Sequence, residues 1–327
     1  MASTCLVTGG AGFIGSSIVR ALLARGDKVR VIDNFFSGKR ENLAEVAADV
    51  ELHEADIRDD AALERALAGV ELVFHEAAIP SVPRSLVDPL SSNEVNITGT
   101  LKVLHHAKKA GVRRVVYAAS SSAYGDTPTL PKIETMRPAP LSPYAVSKLA
   151  GEHYCQVFAG AYGLETVCLR YFNVFGPRQD PASEYAAVIP RFVTAALAGG
   201  GVTIYGDGTQ SRDFCFIENT VEANLAAGAA PADKVSGHVF NVACGEATTL
   251  NQVVELLGGI VGKKIPVTYA PGRVGDVKHS LADVTEARTR LGYKGAITFV
   301  EGLRRCVDWY QERAEDGEPA AAVASGR

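Results

Sequence analysis

The sequence predicts an α/β protein with a doubly wound parallel sheet, and three observations carry that prediction. Short β-rich segments alternate with helical patterns through the N-terminal half of the chain, which is typical of strands joined by crossover helices. The first β-rich segment, residues 4–7, is followed at once by a glycine-rich turn. After Gly176 the alternation breaks down into inserted segments that contain Pro and Gly, which predicts a smaller second lobe.

Length, charge and cysteine usage narrow the class of protein. The chain has 327 residues, enough for a sizeable core, and a formal net charge of −4 without a run of Lys or Arg, which argues against nucleic-acid binding. We see neither a basic leader nor an apolar stretch long enough to span a bilayer, and we expect a cytoplasmic protein without membrane contact. The six cysteines are scattered singly, which indicates reduced thiols rather than a metal site.

The first strand leads into a turn with glycine at positions 9, 12 and 15, followed by a helical pattern. Glycine lets the backbone approach a pyrophosphate, and the amides at the helix N-terminus favour an anion. This context predicts a dinucleotide-binding, Rossmann-type domain. The residues predicted to hold the cofactor here are Gly9, Gly12, Phe13, Ile14 and Gly15.

The second strand, residues 28–32, ends in an acid at position 33, about 20 residues after the glycine turn, where a ribose-binding carboxylate is expected. A carboxylate there would repel a 2′-phosphate, which favours NAD over NADP. Lys39 and Arg40 follow closely and keep NADP open as an alternative. The residues assigned to the cofactor from this segment are Asp33, Asn34, Ser37 and Gly38.

Three further strands are predicted over residues 50–54, 72–75 and 114–119, with helices near residues 61–68 and 92–110 between them. Ligands of a doubly wound sheet bind at the C-terminal ends of its strands. Residues that follow those ends are therefore assigned to the cofactor: Asp56 and Ile57 beside the adenine, Ala77 and Ala78 along the trough. His75 ends an apolar strand and is interpreted as a structural core residue.

Tyr144 and Lys148 open the helix predicted over residues 144–162. Their spacing of four places both side chains on one face, where the ammonium can favour the phenolate of a tyrosine that would otherwise be a weak base. Ser120 ends the preceding strand and could share a proton with that phenol. The sequence thus predicts Ser120, Tyr144 and Lys148 as a catalytic group, whereas an isolated Tyr and Lys at this spacing would be a surface pair.

The domain boundaries follow from the loss of alternation after a further strand, residues 166–169. We expect residues 1–175 to form the NAD-binding domain, with segments of about residues 202–245 returning to it. Residues 176–313 are expected to form mainly the substrate lobe over the C-terminal edge of the sheet. Residues 314–327, rich in Ala, Glu and Gly, are expected to form a flexible tail.

The combined motifs resemble the extended short-chain dehydrogenase/reductase superfamily, and within it the UDP-hexose 4-epimerases. They are GGAGFIG, Asp33, the serine triplet 120–122, Tyr144 with Lys148, and RYFNVFGP at residues 170–177. The resemblance extends from Thr4 to about Tyr310. It implies a homodimer formed through the helices near residues 92–110 and 144–162.

The resemblance implies a specific role for each catalytic residue. Tyr144 would take the proton from the 4-hydroxyl of the sugar while C4 passes a hydride to NAD, giving a transient 4-keto sugar that then receives the hydride on its other face. Lys148 would hold the nicotinamide ribose, and Ser120 would bind the reacting oxygen. Dehydratase relatives carry an Asp-Glu pair where this chain has Ser121 and Ser122, which disfavours loss of water. Tyr171 is assigned to the cofactor by the same resemblance.

The nucleotide half of the substrate is assigned by resemblance as well. Asn173, Arg212 and Arg273 would contact the diphosphate, since the arginine fork suits phosphate oxygens. Tyr205 would stack on uracil and Asp276 would contact the uridine ribose. The remaining residues assigned to the substrate are Ser81, Arg84, Ser121, Ser122, Val188 and Ser280.

The choice of sugar depends on Ser280, at a position where the family places a residue that gates the hexose pocket. A small residue admits a 2-acetamido group, so we expect a 4-epimerase of UDP-GlcNAc and UDP-GalNAc, with UDP-glucose and UDP-galactose as further substrates. Arg84 keeps a UDP-uronate 4-epimerase or decarboxylase open, because its guanidinium would suit a carboxylate. A non-catalytic NAD-binding sensor is the remote alternative, since it would not need Ser120, Tyr144 and Lys148.

Overall fold

The computed structural model of the chain describes residues 2–182, 187–272 and 277–315. Its centre is a seven-stranded, wholly parallel sheet with the strand order β11-β6-β5-β4-β1-β2-β3. This confirms the predicted α/β class. The strands are β1 (Thr4–Thr8), β2 (Lys28–Asp33), β3 (Val50–Glu54), β4 (Leu72–His75), β5 (Arg114–Ser120), β6 (Glu165–Tyr171) and β11 (His238–Val242).

Helices cover both faces of the sheet because its central strands are apolar on both sides. Val7, Val31 and Phe74 pack on one face in the cluster that includes α1 and α8, whereas Leu6 and Val73 pack on the other with α2, α5 and α6. The chain reverses its direction across the sheet between β1 and β4, which is the switch point where such sheets bind ligands. These helices are α1 (Phe13–Ala24), α2 (Asp60–Leu67), α5 (Thr100–Lys109), α6 (Pro143–Tyr162) and α8 (Ile217–Ala229).

The helix expected over residues 92–110 consists of three consecutive segments: α4 (Pro89–Asn93), a π-helical turn (Glu94–Gly99) and α5. The wide turn brings Gly99 against Ile57, where a Cβ would lie 2.6 Å from Ile57 Cδ1. Its buried Asn96 accepts from the Ile79 amide at 2.8 Å and donates to Ser147 Oγ at 3.0 Å. The π turn thus joins the end of β4 to α6 beside Lys148, at the site described below.

The second lobe is built from separate C-terminal segments. β8 (Val202–Tyr205) pairs in parallel with β13 (Val267–Ala270). Between these two strands the chain returns to the main sheet, where α8 packs on one face and β11 pairs with β6. Of the segment 202–245, β8 pairs outside the main sheet, whereas α8 packs on the sheet and β11 joins its edge. The other elements of this half are α7 (Val188–Leu197), β9 (Ser211–Arg212), β10 (Cys215–Phe216), α9 (Ala232–Val235), β12 (Thr248–Thr249), α10 (Leu250–Val261) and α11 (Phe299–Glu315).

Ala314 and Glu315 belong to α11; residues 316–327, the rest of the expected tail, lie outside the described part of the chain. Shorter elements complete the fold: α3 (Val82–Val87), β7 (Val174–Phe175), 3-10 turns at Arg40–Val46 and Ser121–Tyr124, and a π turn at Ala287–Leu291. Within the described ranges, no helix combines the length and apolar character that crossing a bilayer requires.

Buried Asp213 joins three segments of the second lobe. Its carboxylate accepts from the amides of Cys244 at 2.9 Å, Gly245 at 3.0 Å and Ala282 at 3.1 Å. Burial raises the pKa of Asp213 to about 6, although these backbone donors oppose the shift. One carboxyl group therefore holds together the loops that carry Arg212 and Ser280.

Candidate active site

The glycine turn after β1 is shaped for close backbone approach. Gly9 has φ +69°, and a Cβ there would lie 2.7 Å from the Ala77 amide nitrogen; at Gly15 it would lie 2.2 Å from the Gly9 carbonyl oxygen. Gly12 is the N-cap of α1, and because it has no side chain it leaves the first amides of the helix uncapped. The first-turn amides of α1 have no intrahelical acceptors and face the cleft with a partial positive charge, which suits a pyrophosphate.

The carboxylate of Asp33, at the end of β2, is held by two backbone amides, one from the glycine turn and one from two residues further along the chain. Its Oδ2 accepts from the Ala11 amide at 2.9 Å and its Oδ1 from the Phe35 amide at 2.8 Å. Burial raises the pKa of Asp33, and these two hydrogen bonds partly offset that shift. Each oxygen keeps a lone pair for a ribose hydroxyl.

The two cations that kept NADP open are engaged elsewhere. Lys39 Nζ lies 2.8 Å from an Asp180 oxygen, and Arg40 Nη2 lies 2.6 Å from a Glu54 oxygen. The Arg40 guanidinium also stacks 4.1 Å from the centre of the Phe35 ring. The residues around Asp33 therefore fit NAD, with its two ribose hydroxyls, better than NADP.

Beyond Asp33, Asn34 and Asp56 meet across the ends of β2 and β3. Asn34 Nδ2 donates to Asp56 Oδ2 at 3.0 Å, and Arg58 binds the same carboxylate at 2.8 Å, which lowers the pKa of Asp56. Ile57 is buried behind them. The arrangement is a closed polar edge with an apolar floor, as the adenine assignment of Asp56 and Ile57 requires.

Tyr144 is placed by the start of α6. Ser142 caps the helix by accepting from the Ala145 amide at 3.1 Å, Pro143 occupies the first helical position, and the Tyr144 amide donates to Ser85 Oγ at 3.1 Å. Burial raises the pKa of Tyr144, while a hydrogen bond from Ser120 opposes the rise. This direction is opposite to the sequence expectation of a lowered pKa, because desolvation outweighs the favourable contacts.

The Lys148 ammonium is bound to the neighbouring strand β5. Its Nζ donates to the Ala118 carbonyl at 2.8 Å and lies 5.1 Å from the centre of the Tyr117 ring. Burial lowers the pKa of Lys148 to about 8, against an opposing effect of the Glu76 carboxylate. The ammonium is thus anchored on β5, one turn of α6 from Tyr144, and its charge varies in the neutral to mildly alkaline range.

The serine triplet forms a tight turn at the end of β5. Ser120 Oγ accepts from the Ser122 amide at 3.2 Å and from Ser122 Oγ at 2.8 Å. Behind the turn, Tyr124 donates to Asn241 Oδ1 at 2.7 Å and stacks on the Arg170 guanidinium at 4.6 Å. The turn therefore presents three hydroxyl groups on a rigid support, and no carboxylate stands at positions 121 and 122.

Asn173, just after β6, meets Arg212 and Ser280 of the C-terminal half at the other side of the site. Asn173 has φ +33°, and its Nδ2 donates to the Asp213 carbonyl at 3.1 Å and to Ser280 Oγ at 3.4 Å. Arg212 Nη1 donates to the Ser211 and Lys278 carbonyls. These contacts place one amide, one guanidinium and one small hydroxyl side chain on the same side of the site.

One cleft of about 1180 Å³ gathers most of the predicted residues. The lining does not include Lys148, which is buried, or three assigned substrate residues. Of these three, Ser81 caps α3 and precedes the lining residue Val82, Val188 follows the lining residue Ala187, and Tyr205 ends β8. Arg273 and Asp276 lie outside the described residues. The predicted residues in the lining are Gly9, Gly12, Phe13, Ile14, Gly15, Asp33, Asn34, Ser37, Gly38, Asp56, Ile57, Ala77, Ala78, Arg84, Ser120, Ser121, Ser122, Tyr144, Tyr171, Asn173, Arg212 and Ser280.

The cleft also contains residues that sequence reasoning missed. Glu76 lines it directly after β4, and Phe36 lies under the Arg84 guanidinium, 4.5 Å from its carbon atom. Lys132 lines the end near Tyr124. The position of Glu76 at a strand end, next to the predicted Ala77, was a signal that could have identified it. Among the residues that the structure describes, no three His, Cys, Asp or Glu side chains are grouped to hold a metal ion.

Comparison with known proteins identifies the family. The model of the NAD dependent epimerase/dehydratase family matches residues 5–243. A UDP-glucose 4-epimerase of Mycolicibacterium smegmatis is 40% identical over 315 residues, which cover 95% of this chain and 99% of that protein.

Two solved structures have the same fold over nearly the whole chain. The UDP-N-acetylglucosamine 4-epimerase of Methanobrevibacter ruminantium, solved with UDP-N-acetylmuramic acid, is 42% identical with a TM-score of 0.89, covering 95% of this chain and 99% of that one. The UDP-glucose 4-epimerase of Thermus thermophilus, solved with NAD, is 39% identical with a TM-score of 0.85, covering 94% and 98%. Together with the cradle around Gly9 and Asp33, these matches establish that the chain belongs to the NAD-dependent epimerase/dehydratase family and uses NAD.

Proposed function

We propose that the chain interconverts the C4 epimers of a UDP-hexose, and that UDP-GlcNAc and UDP-GalNAc are its preferred pair. The observation that carries the proposal is the position of Ser120 and Tyr144 in one cleft with the Asp33 cradle at one end and Ser280 at the other. A proton acceptor for a sugar hydroxyl is thus held within reach of a cofactor that accepts hydride. UDP-glucose and UDP-galactose are expected as further substrates.

The reaction needs one base and one oxygen ligand from this chain. Ser120 binds the 4-oxygen of the sugar, and Tyr144, as its phenolate, removes the hydroxyl proton and later returns it. Bound NAD supplies the site that accepts a hydride from C4 and gives it back to the opposite face. The Lys148 ammonium stabilises the ionised form of Tyr144 through the field it creates in a site of low polarity.

The pyrophosphate of the sugar nucleotide must stay bound while the keto sugar rotates to present its opposite face. Asn173 and Arg212 are proposed to bind it, because both line the second-lobe side of the cleft and both supply N–H donors. Ser81, Val188 and Tyr205 are proposed to support the sugar and uracil from just outside the lining. Arg273 and Asp276 keep their proposed phosphate and ribose contacts from the sequence.

The test of the function is incubation of the purified protein with UDP-GlcNAc and, separately, UDP-glucose, without added reductant. Proton NMR of the sugar should show the galacto epimer from UDP-GlcNAc. The matched variant Ser280→Tyr should lose UDP-GlcNAc turnover by at least about 100-fold, since a ring at this position fills the space for an acetamido group, a loss of roughly 3 kcal/mol. UDP-glucose turnover should be retained in the variant. Turnover of UDP-glucose but not UDP-GlcNAc by the natural protein would contradict the assignment of Ser280.

A UDP-uronate is the second candidate substrate, favoured by two cations in the lining. The Arg84 guanidinium is exposed at the cleft, and Lys132 lies at the end near the serine turn. Arg84 could receive a sugar carboxylate, whereas the buried Lys132 ammonium already donates to Thr127. Appearance of the C4 epimer of UDP-glucuronate would identify a uronate epimerase, and release of CO2 would identify a decarboxylase. A protein that retained NAD but changed none of these sugars would favour the binding-only alternative.

The chain is further proposed to form a homodimer through the exposed side of α6 and the adjoining helices. Val146 and Val157 are 48% and 52% exposed and lie on one stripe of α6 with Ala150 and His153, since their positions differ by four, three and four. Leu90 on α4 is 78% exposed. Light scattering should give twice the chain mass, and Val157→Glu should give a monomer because a charge would be buried at the contact. A monomeric natural protein would exclude this dimer.

A further inference from the structure

Glu76 is a carboxyl group in the cleft to which the reaction assigns no role. It follows β4 directly and lines the cleft, while the neighbouring strands β5 and β6 end in Ser120 and Tyr171. A carboxylate is costly to place in a half-buried site unless it has partners.

A chain of hydrogen bonds from α8 is directed at Glu76. Asn224 Nδ2 donates to the Thr220 carbonyl at 2.9 Å and to the Tyr171 hydroxyl oxygen at 2.8 Å. The single hydroxyl proton of Tyr171 has two acceptors within reach, Glu76 Oε1 at 2.8 Å and Asn224 Oδ1 at 3.1 Å, and the shorter contact is the one to Glu76. Since the amide supplies the donor to Tyr171, the tyrosine presents a proton to Glu76, and the best acceptor for it is an ionised carboxylate.

The charged groups around Glu76 come from α6. Lys148 lowers the pKa of Glu76, whereas burial raises it more strongly, to about 7. Glu76 in turn opposes ionisation of Tyr144 and favours the ammonium of Lys148. From β1 the neighbour is Thr8, whose carbonyl accepts the Glu76 amide at 3.1 Å. The carboxylate thus acts on the same end of the cleft as the catalytic residues, from the opposite face of the sheet.

NAD bound in this cleft would change its charge in the proposed reaction. The ring would take up the hydride that leaves C4 while the hydroxyl proton goes to Tyr144, so its positive charge would be lost, and return of the hydride would restore that charge. A fixed negative charge nearby favours the cationic, oxidised ring over the neutral, reduced ring.

We propose that ionised Glu76, held by Tyr171 and Asn224, sets the preference of the site for NAD+ over NADH. Its charge opposes accumulation of the reduced cofactor, and so limits the time during which the keto sugar could escape. Protonation of Glu76 weakens that preference. The inference depends on NAD as the cofactor but not on which sugar is epimerised.

Glu76→Gln separates the charge from the tether, because its amide oxygen still accepts from Tyr171. Holoenzyme is equilibrated by dialysis against equal NAD+ and NADH at about pH 6 and about pH 8, on either side of the shifted pKa, and the two retained forms are extracted and quantified. At the higher pH the retained ratio of NAD+ to NADH should be about tenfold lower in the variant, the effect of one unit charge at close range. The natural protein should change its ratio with pH more than the variant does, because only the natural protein has a carboxyl group at position 76 that titrates in this range.

Glu134→Gln is the matched control, since Glu134 is also half-buried, has a raised pKa and accepts a backbone amide at 2.8 Å, but lies outside the cleft lining. It should leave the ratio unchanged. Glu76→Asp should keep the preference for NAD+ because it keeps the charge. Equal ratios for the natural protein and Glu76→Gln would overturn the proposal, as would an equal fall in Glu134→Gln or a Glu76→Asp protein that behaves like Glu76→Gln. The readout uses no sugar, so its failure leaves the proposed epimerisation intact.

Discussion

Single residues in this site act mainly by shifting the pKa of a neighbour. Tyr144 is the group whose ionisation the reaction needs, and burial alone would keep its phenol protonated at neutral pH. The hydrogen bond from Ser120 opposes that effect, and the Lys148 ammonium lies one helical turn away. The same low polarity that raises the pKa of Tyr144 also makes each of these contacts stronger than it would be in water.

Ser120→Ala should therefore change the pH dependence of the reaction as well as its rate. Loss of the hydrogen bond removes a contact that lowers the pKa of Tyr144, so the acid limb of the kcat profile should move to higher pH. At neutral pH kcat should fall roughly 10- to 100-fold, because both the base and the ligand of the reacting oxygen are weakened. Ser120→Thr keeps the hydroxyl and should restore the original limb. An unshifted limb in the alanine variant would show that Ser120 does not act on Tyr144.

At the scale of elements, the glycine turn packs against the start of α1 so closely that a side chain has no room at Gly9 or Gly15. Gly15→Ala places a methyl group 2.2 Å from the Gly9 carbonyl oxygen, so the turn must open. We expect the variant to lose most of its co-purified NAD and to melt at a lower temperature, since backbone cannot yield as a flexible side chain can.

Gly160→Ala is the control for that change. Gly160 is also within a helix, α6, but a Cβ there meets no atom within 4 Å. Alanine should retain NAD and stabilise the protein by about 0.5–1 kcal/mol, as expected for an exposed helical glycine. The retained NAD is measured from the absorbance of the released cofactor. Full retention by Gly15→Ala would contradict the inference that the glycine turn has no room for a side chain at position 15.

The elements that could be predicted from sequence are those whose signals are local. The turn from Gly9 to Gly15 and the acid at the end of β2 are about 20 residues apart, and the spacing alone indicates their function. The split of the helix over residues 92–110 was not predictable, since the π turn depends on the packing of Gly99 against Ile57 from a distant segment. Glu76, Tyr171 and Asn224 likewise meet only in the folded sheet, because they come from three elements separated by at least 53 residues in the chain.

The direction of the pKa of Tyr144 was mispredicted for a related reason. The spacing of Tyr144 and Lys148 correctly places them one turn apart on α6. Burial, however, is a property of the whole site, and the ammonium is drawn to the Ala118 carbonyl on β5. Spacing within one helix carries no information on either effect.

At the scale of the whole molecule, the site depends on two lobes that meet at the C-terminal edge of the sheet. The sheet domain carries Gly9, Asp33 and the proposed catalytic group, and Asn173, just after β6, donates to Asp213 and Ser280 of the C-terminal half. Asp213 is the common point: its carboxylate joins the loops at Cys244 and Ala282, and its carbonyl accepts from Asn173. A substitution at Asp213 can therefore weaken substrate binding without directly changing the residues proposed to bind the cofactor.

Asp213→Asn is expected to show that separation. The amide has only one acceptor oxygen, so at least one of the three amide donors that now meet the carboxylate loses its partner, at about 1–3 kcal/mol for a buried group. We expect a lower melting temperature and a KM for the UDP-sugar raised several-fold, with NAD retention close to that of the natural protein because Asp33 and the glycine turn are untouched. Asp207→Asn is a suitable control, since that carboxylate is exposed and accepts from the amide and the hydroxyl of Thr209, two residues along the chain. If Asp213→Asn lost NAD as readily as it lost substrate affinity, the two lobes would form one cooperative unit. The inference that substrate binding and NAD binding can be weakened separately would then be wrong.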